Sequence, residues 1–276
     1  MLHSLHVVRA IALLLAVAGP AFAQQDSEDA RGWTFYGRFQ GTSNGSGLIM
    51  KLDPSVGYAF NDRFQAYAGL PVYFARESSG SASGIGNAYV GGVLTVLNPA
   101  IDYVSRLEIT APTGDESRGF STGIVTVDWN NTFSRTFESL TPFVSVGIAN
   151  TVSDTSFFVR PFSSDGLVGH FDGGLLYDVN PAFGLGASAY AVRASGEQRI
   201  VSRVIQQERT VARVQGRNFE RQADVVGVAE LANDHGFSAW IDFSPQSNIS
   251  FQAGYNRSVA YELDSLFWGV SFRVGK

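Results

Sequence analysis

The chain of 276 residues contains no cysteine, so neither a disulfide framework nor thiol chemistry is open to it. Histidine is scarce as well: there are four, and His3 and His6 lie at the very start. His170 and His235 alone do not make a metal site of ordinary ligand spacing. No glycine motif follows a strand and opens a helix as a phosphate cradle requires. Neither metal nor cofactor is therefore expected. No apolar run is long enough to cross a bilayer as a helix, and the greasiest, Ala10 to Val17, is far too short. Cationic charge is the minority, 20 Lys and Arg against 25 Asp and Glu, which argues against a nucleic-acid partner. Proline is sparse too, 9 residues against 30 glycines and 21 phenylalanines, a balance that suits β-structure with many turns.

Residues 1–23 read as a cleaved export signal. Arg9 and the histidines make a weakly basic start, an apolar core follows, and Ala21-Phe22-Ala23 is a small-x-small cleavage site. The mature chain is expected to span 24–276 as one domain, with 19 basic residues against 25 acidic.

What the mature chain does have is alternation. Ile101, Tyr103, Ser105, Leu107, Ile109 and Ala111 share one parity and are mostly apolar, while Asp102, Val104, Arg106, Glu108 and Thr110 share the other and are mostly charged or polar. The same period of two returns in segments of roughly ten residues, the pattern of a transmembrane antiparallel β-barrel. Twelve strands are expected, near 33–41, 51–60, 63–75, 85–97, 100–111, 123–136, 142–150, 167–178, 182–194, 236–243, 248–257 and 265–274. Their connections alternate in length. Short turns are expected at 61–62, 98–99, 138–141, 180–181 and 245–247. Longer loops rich in Gly, Ser and charge are expected at 41–50, 76–84, 112–122, 151–166, 195–235 and 258–264. Such sorting places the short turns in the periplasm and the long loops outside a bacterial outer membrane, and a soluble β-sandwich has no reason to produce it. Aromatics at strand ends, among them Trp33, Phe60, Phe64, Phe74, Phe137 and Phe183, are expected to form interfacial girdles.

Charges on the parity away from lipid are the candidate site residues, because a charge on the lipid face at mid-depth costs about 2–4 kcal/mol. They are Arg38, Lys51, Asp53, Asp102, Arg106, Glu108, Asp128, Asp172 and Arg273, with His170 on the same parity two residues before Asp172. Asp172 is placed to orient the His170 ring. About twelve strands falls between a filled barrel and an open porin, so these groups either line a path or pair across the lumen and plug it.

Residues 84–123 are more specific. Gly84-Ile85-Gly86-Asn87-Ala88-Tyr89-Val90-Gly91-Gly92 opens a strand, Ala111-Pro112-Thr113-Gly114-Asp115 follows, then Gly119-Phe120-Ser121-Thr122-Gly123. This order resembles the meta-pathway phenol-degradation family of outer-membrane transporters. There a Gly-x-Gly-Asp-like opening precedes a Pro-Thr-Gly-Asp loop and a Gly-x-Gly-Thr-Gly-like stretch. Here Asn87 stands for the usual Asp and Ser121 for a Gly. The resemblance implies a barrel of about this size that passes small, often hydrophobic or aromatic, molecules. Read locally, the loop is a plain extracellular turn: Pro112 lacks an N–H and ends the ladder, and Thr113-Gly114-Asp115 is turn chemistry. Read functionally, it folds inward and narrows the pore, with Thr113, Asp115, Glu116 and Arg118 as its constriction residues.

Two segments fit no simple scheme. The arginine-rich stretch from Glu197 to Asp224 suits strand extensions, a short helix over the mouth, or a loop. Val225 to Leu231 either starts the tenth strand early or stands apart. No serine motif beside His170 or His235 resembles a barrel lipase, and Asp234-His235 alone is a thin basis for a protease, so no enzyme is expected. The leading expectation is a monomeric barrel, set in outer-membrane lipid and lipopolysaccharide, that gives small solutes a passive route through a charged lumen. The alternative is a plugged barrel that binds through its outer loops.

Overall fold

The computed structural model describes residues 31–44, 47–77, 80–152, 159–203 and 224–275. The expected signal peptide lies outside the described residues, as does the middle of the arginine-rich stretch, 204–223. Among the described residues fifteen strands form. They are β1 (Gly32–Asn44), β2 (Gly47–Ala59), β3 (Phe64–Gly69), β4 (Val72–Glu77), β5 (Gly80–Ile85), β6 (Tyr89–Val96), β7 (Asp102–Thr110) and β8 (Thr126–Ser134). After them come β9 (Leu140–Ala149), β10 (Phe162–Asn180), β11 (Phe183–Ser202), β12 (Asp224–Gly227), β13 (Asp234–Gln246), β14 (Ile249–Ser258) and β15 (Leu263–Gly275). Neighbours pair antiparallel, and β1 runs against β15 from Gly32↔Gly275 to Ser43↔Asp264, so the sheet closes on itself. β3 and β4 are halves of one stave, β5 and β6 of another, and β12 only extends the wall beside β11. The result is a closed barrel of twelve staves.

The alternation decides which side each residue meets. On β13 Asp234, Ser238, Trp240 and Asp242 are buried, while His235, Phe237, Ile241 and Phe243 face out. Polar inside and apolar outside is the reverse of a water-soluble core and fits a wall surrounded by hydrocarbon. Inner hydroxyls pair across strands, as Thr42 with Ser265 at 3.0 Å and Thr132 with Ser145 at 2.7 Å. Trp33, Phe60, Phe64 and Phe137 stand exposed at the short-turn end, where Phe60 stacks on Phe64 at 5.5 Å. Phe74 also faces outward, whereas Phe183 is half-buried.

Two stretches expected as loops are mostly ladder, and a third is shorter than expected. β1 continues to Asn44 and β2 starts at Gly47, β4 and β5 meet across 78–79, and β14 turns into β15 within four residues, 259–262. β10 and β11 likewise rise to Phe162 and Ser202, beyond their expected ends. Above the hydrocarbon both faces of a strand are wet, so pairing continues where apolar alternation stops. The register slips between Asp165 and Leu167, at Gly166 with a φ of 147°. The arginine-rich stretch thus begins as strand extension. Residues 224–227 are a separate short strand, and Ala229–Ala232 is one 3-10 turn.

The expected single strands 63–75 and 85–97 are each broken, at Leu70-Pro71 and at Gly86–Ala88. Pro71 has no N–H to give the ladder. Gly86 N–H still donates to Pro71 O at 2.7 Å, but the gap is closed by the loop that follows β7. Thr113 Oγ1 accepts from Ala88 N–H at 2.8 Å and donates to Gly86 O at 3.2 Å. Asn87 Oδ1 accepts from Gly114 N–H at 3.0 Å. Asn87 and the Pro-Thr-Gly-Asp loop are therefore a patch on the wall. Thr113→Val should strip two backbone groups of their partner and cost about 1–3 kcal/mol in urea unfolding from lipid vesicles, while Thr113→Ser stays close to the parent.

Candidate functional site

The lumen is organised by rings that cross glycines. Tyr67 on β3 lies over Gly91 of β6 and reaches β7, where its hydroxyl donates to Glu108 at 2.9 Å. Tyr89 on β6 lies over Gly69 of β3 and donates to Asp53 of β2 at 2.8 Å. His170 on β10 lies over Gly147 of β9 and its Nε2 meets Asp128 of β8 at 2.9 Å. A Cβ at any of these glycines would collide with the ring above it. The missing side chain lets each ring lie flat on the wall and deliver its polar end two strands away.

Charge clusters follow from these bridges. Lys51 pairs with Asp53 at 3.0 Å beside Tyr89. Arg106 pairs with Glu108, and its Nε donates to the Tyr67 hydroxyl at 2.5 Å. On the neighbouring side, across β1, β14 and β13, Arg38 Nη2 donates to Gln252 at 2.7 Å, and Gln252 and Trp240 both donate to Asp242 at 2.9 Å. Above this belt lies a cavity of about 220 Å³ bounded by residues from staves all round the barrel. Arg38, Lys51, Asp53, Arg106, Glu108, Asp128, His170 and Asp172 all border it.

Its roof is apolar and aromatic. Phe120, fully buried, stacks on Tyr73 with ring centroids 5.5 Å apart and planes 9° from parallel. The Arg203 guanidinium lies over Tyr73 at 4.6 Å. Beside them, at the same end, packs a buried cluster including Phe162, Ile200, Ala232, Tyr261 and Leu263. Beneath it Arg160 and Asp234 form an ion pair at 3.1 Å, with side chains 1% and 0% exposed. Tyr190 and Ser258 hydroxyls also donate to Asp234, at 3.1 and 2.6 Å.

Some expected site residues fall elsewhere. Asp102 keeps the inward parity but sits at the short-turn rim, where it accepts from Asn98 N–H at 3.0 Å and closes the turn. Arg273 lies at the same end, near the close of β15, and neither borders the cavity. Thr113, Glu116 and Arg118 stay exposed and Asp115 half-buried, all outside the lumen. Arg118 is held to Asp115 at 3.1 Å and to Ser83 O at 2.8 Å. The Ser117 hydroxyl and Arg118 hold the Asp115 carboxyl below its usual range. The part of this loop that does turn inward is Gly119 to Thr122, carried by the left-handed Gly119 at φ 70°. The carboxylate that orients His170 is Asp128 and not Asp172, because an empty glycine position brings β8 within reach. Asp234 and His235 point to opposite faces, as adjacent strand residues must, so they form no couple. Sequence reasoning missed Tyr67, Tyr73, Tyr89, Phe120, Arg160 and Arg203. Glycines on the inward parity were the signal for the first three. Among the described residues no group of three or more His, Cys, Asp or Glu could hold a metal ion.

A closed antiparallel wall with apolar belt and polar lumen defines an outer-membrane β-barrel. No family model and no curated protein matches the chain. Its fold is similar to that of the COG4313 outer membrane channel from Pseudomonas putida F1, with a TM-score of 0.62 and 12% identity over 93% of this chain and 100% of that one. It is also similar to the NanC porin, with a TM-score of 0.51 and 11% identity over 87% of this chain and 100% of that one. At these identities the likeness is one of fold.

The Arg160–Asp234 pair gives a stability test. Asp234→Ala should remove this carboxylate from a buried guanidinium and cost about 3–5 kcal/mol, read from the urea midpoint of the refolded barrel. Arg160→Met with Asp234→Leu should lose less than Asp234→Ala alone.

Proposed function

We propose that this barrel is a passive channel for small solutes, with the mid-lumen cavity as its selective waist. The cavity carries the reading. It lies within the ring of staves, with a charged belt on one side and an aromatic roof on the other. A solute that combines a flat apolar part with a polar group finds partners for both, so small aromatic molecules are the class best matched. The barrel works as a monomer in outer-membrane lipid and lipopolysaccharide, and the reading contains no enzymatic step. Planar-bilayer conductance and liposome swelling test it. The parent barrel should admit solutes near the cavity's size, and Phe120→Ala should raise conductance about twofold by removing part of the roof. A correctly folded barrel with no conductance and no uptake would sink the proposal.

One observation favours a second reading, a plugged barrel that acts through its outer loops. An apolar cluster that includes Val225 of β12, Ala232, Phe162, Tyr261 and Leu263 packs as a buried core at the loop end of the barrel. Under that reading Phe120→Ala leaves permeability at zero.

A further inference from the structure

The loop 112–123 sends Phe120 into the lumen while its 3-10 turn, Glu116–Arg118, stays in water. One guanidinium touches both legs of this loop. Arg199, near the top of β11, donates from Nη1 to Thr122 O at 3.2 Å, on the returning leg. Its Nη2 lies 3.4 Å from Glu116 Oε1, on the outgoing leg. From the other side the same group is anchored by Asp224 of β12 at 2.9 Å and by Asp165 of β10 at 3.5 Å. Between the legs, Gly119 lies against the Ser202 backbone so closely that a Cβ would overlap it. Phe120 follows at once and meets Tyr73.

We infer that Arg199 is a positioning residue for the constriction: it clamps both legs of the 112–123 loop to the β10–β12 rim and so holds Phe120 across the mouth of the cavity. As a statement about permeation this rests on the channel reading; as a statement about the loop it does not. Three carboxylates share one cation, and the Arg199 side chain is 35% exposed, so the clamp is one that added salt weakens. A planar guanidinium can serve several acceptors at once, which an ammonium does less well.

The absence of native cysteine permits a direct test. Ser121 is 2% exposed beside Phe120, and Ser121→Cys places a single thiol on the inward part of the loop. In the full-length barrel, checked for folding by heat-modifiable migration, a charged maleimide should label this variant slowly at low salt. Adding Arg199→Gln should speed labelling about tenfold, a change that corresponds to one charge-assisted network lost. Salt should speed labelling when Arg199 is present and leave the Arg199→Gln rate unchanged. Arg199→Lys should fall between the two. If Arg199→Gln does not fold, Glu116→Gln should move the rate the same way by less. Equal labelling rates with and without Arg199, or equal salt dependence, overturn the clamp. Conductance then separates the two ideas. In a conducting barrel Arg199→Gln should raise conductance, and should add nothing once Phe120→Ala is present. Faster labelling in a barrel that never conducts would leave the clamp standing and remove the channel reading.

Discussion

The ladder between β1 and β15 is the constraint on which the rest depends. Twelve paired positions from Gly32↔Gly275 to Ser43↔Asp264 join the first stave to the last, so the wall closes on itself. Once closed, the wall has two sides and every strand residue must take one. Outward positions meet hydrocarbon and are apolar. Inward positions share a small volume with little water to solvate charge, so their charges must find partners on the inner wall. Lys51 with Asp53, Arg106 with Glu108 and Arg160 with Asp234 are consequences of that confinement.

Glycine sets how these partners meet. Where Gly69, Gly91 and Gly147 leave a gap on the inner wall, a ring from the adjoining strand lies across it and its polar atom reaches the strand beyond. The wall gains a lateral tie, and the ring is kept off the centre of the lumen. A side chain at those positions would push Tyr67, Tyr89 or His170 towards the axis and break the contact with the acid. The space left within the ring of staves is thus as much a product of small residues as of large ones.

The loop after β7 carries two tasks that compete for the same dozen residues. Thr113 and Gly114 bind the broken strands at Gly86 to Ala88 and so complete the wall. A few residues later the chain turns at Gly119 and puts Phe120 against Tyr73 in the lumen. The first task fixes where the loop leaves the wall, and the second depends on contacts with β10, β11 and β12 at the rim. A loop anchored at both ends by different strands reports any shift between them at its tip.

Period-two alternation at 101–111 and its repeats was enough to place the strands and their faces, but not the lengths of the connections, since three of the expected long loops are short. It also put Arg106, Glu108, Asp53 and Asp128 on the inner wall, because parity alone decides the side a residue faces. Parity does not say at what height a residue sits or what lies opposite. Asp102 and Arg273 share the inward parity yet lie at the short-turn rim. His170 meets Asp128 and not Asp172, since register and an intervening glycine bring β8 within reach. Phe120 comes from a loop with no alternation to read, and the strand tops above the membrane lose their apolar signal while keeping their hydrogen bonds. The chain by itself determined the wall, since the wall follows from local pattern. Only the tertiary structure decided the lumen, because what fills a closed barrel depends on contacts between residues far apart in sequence.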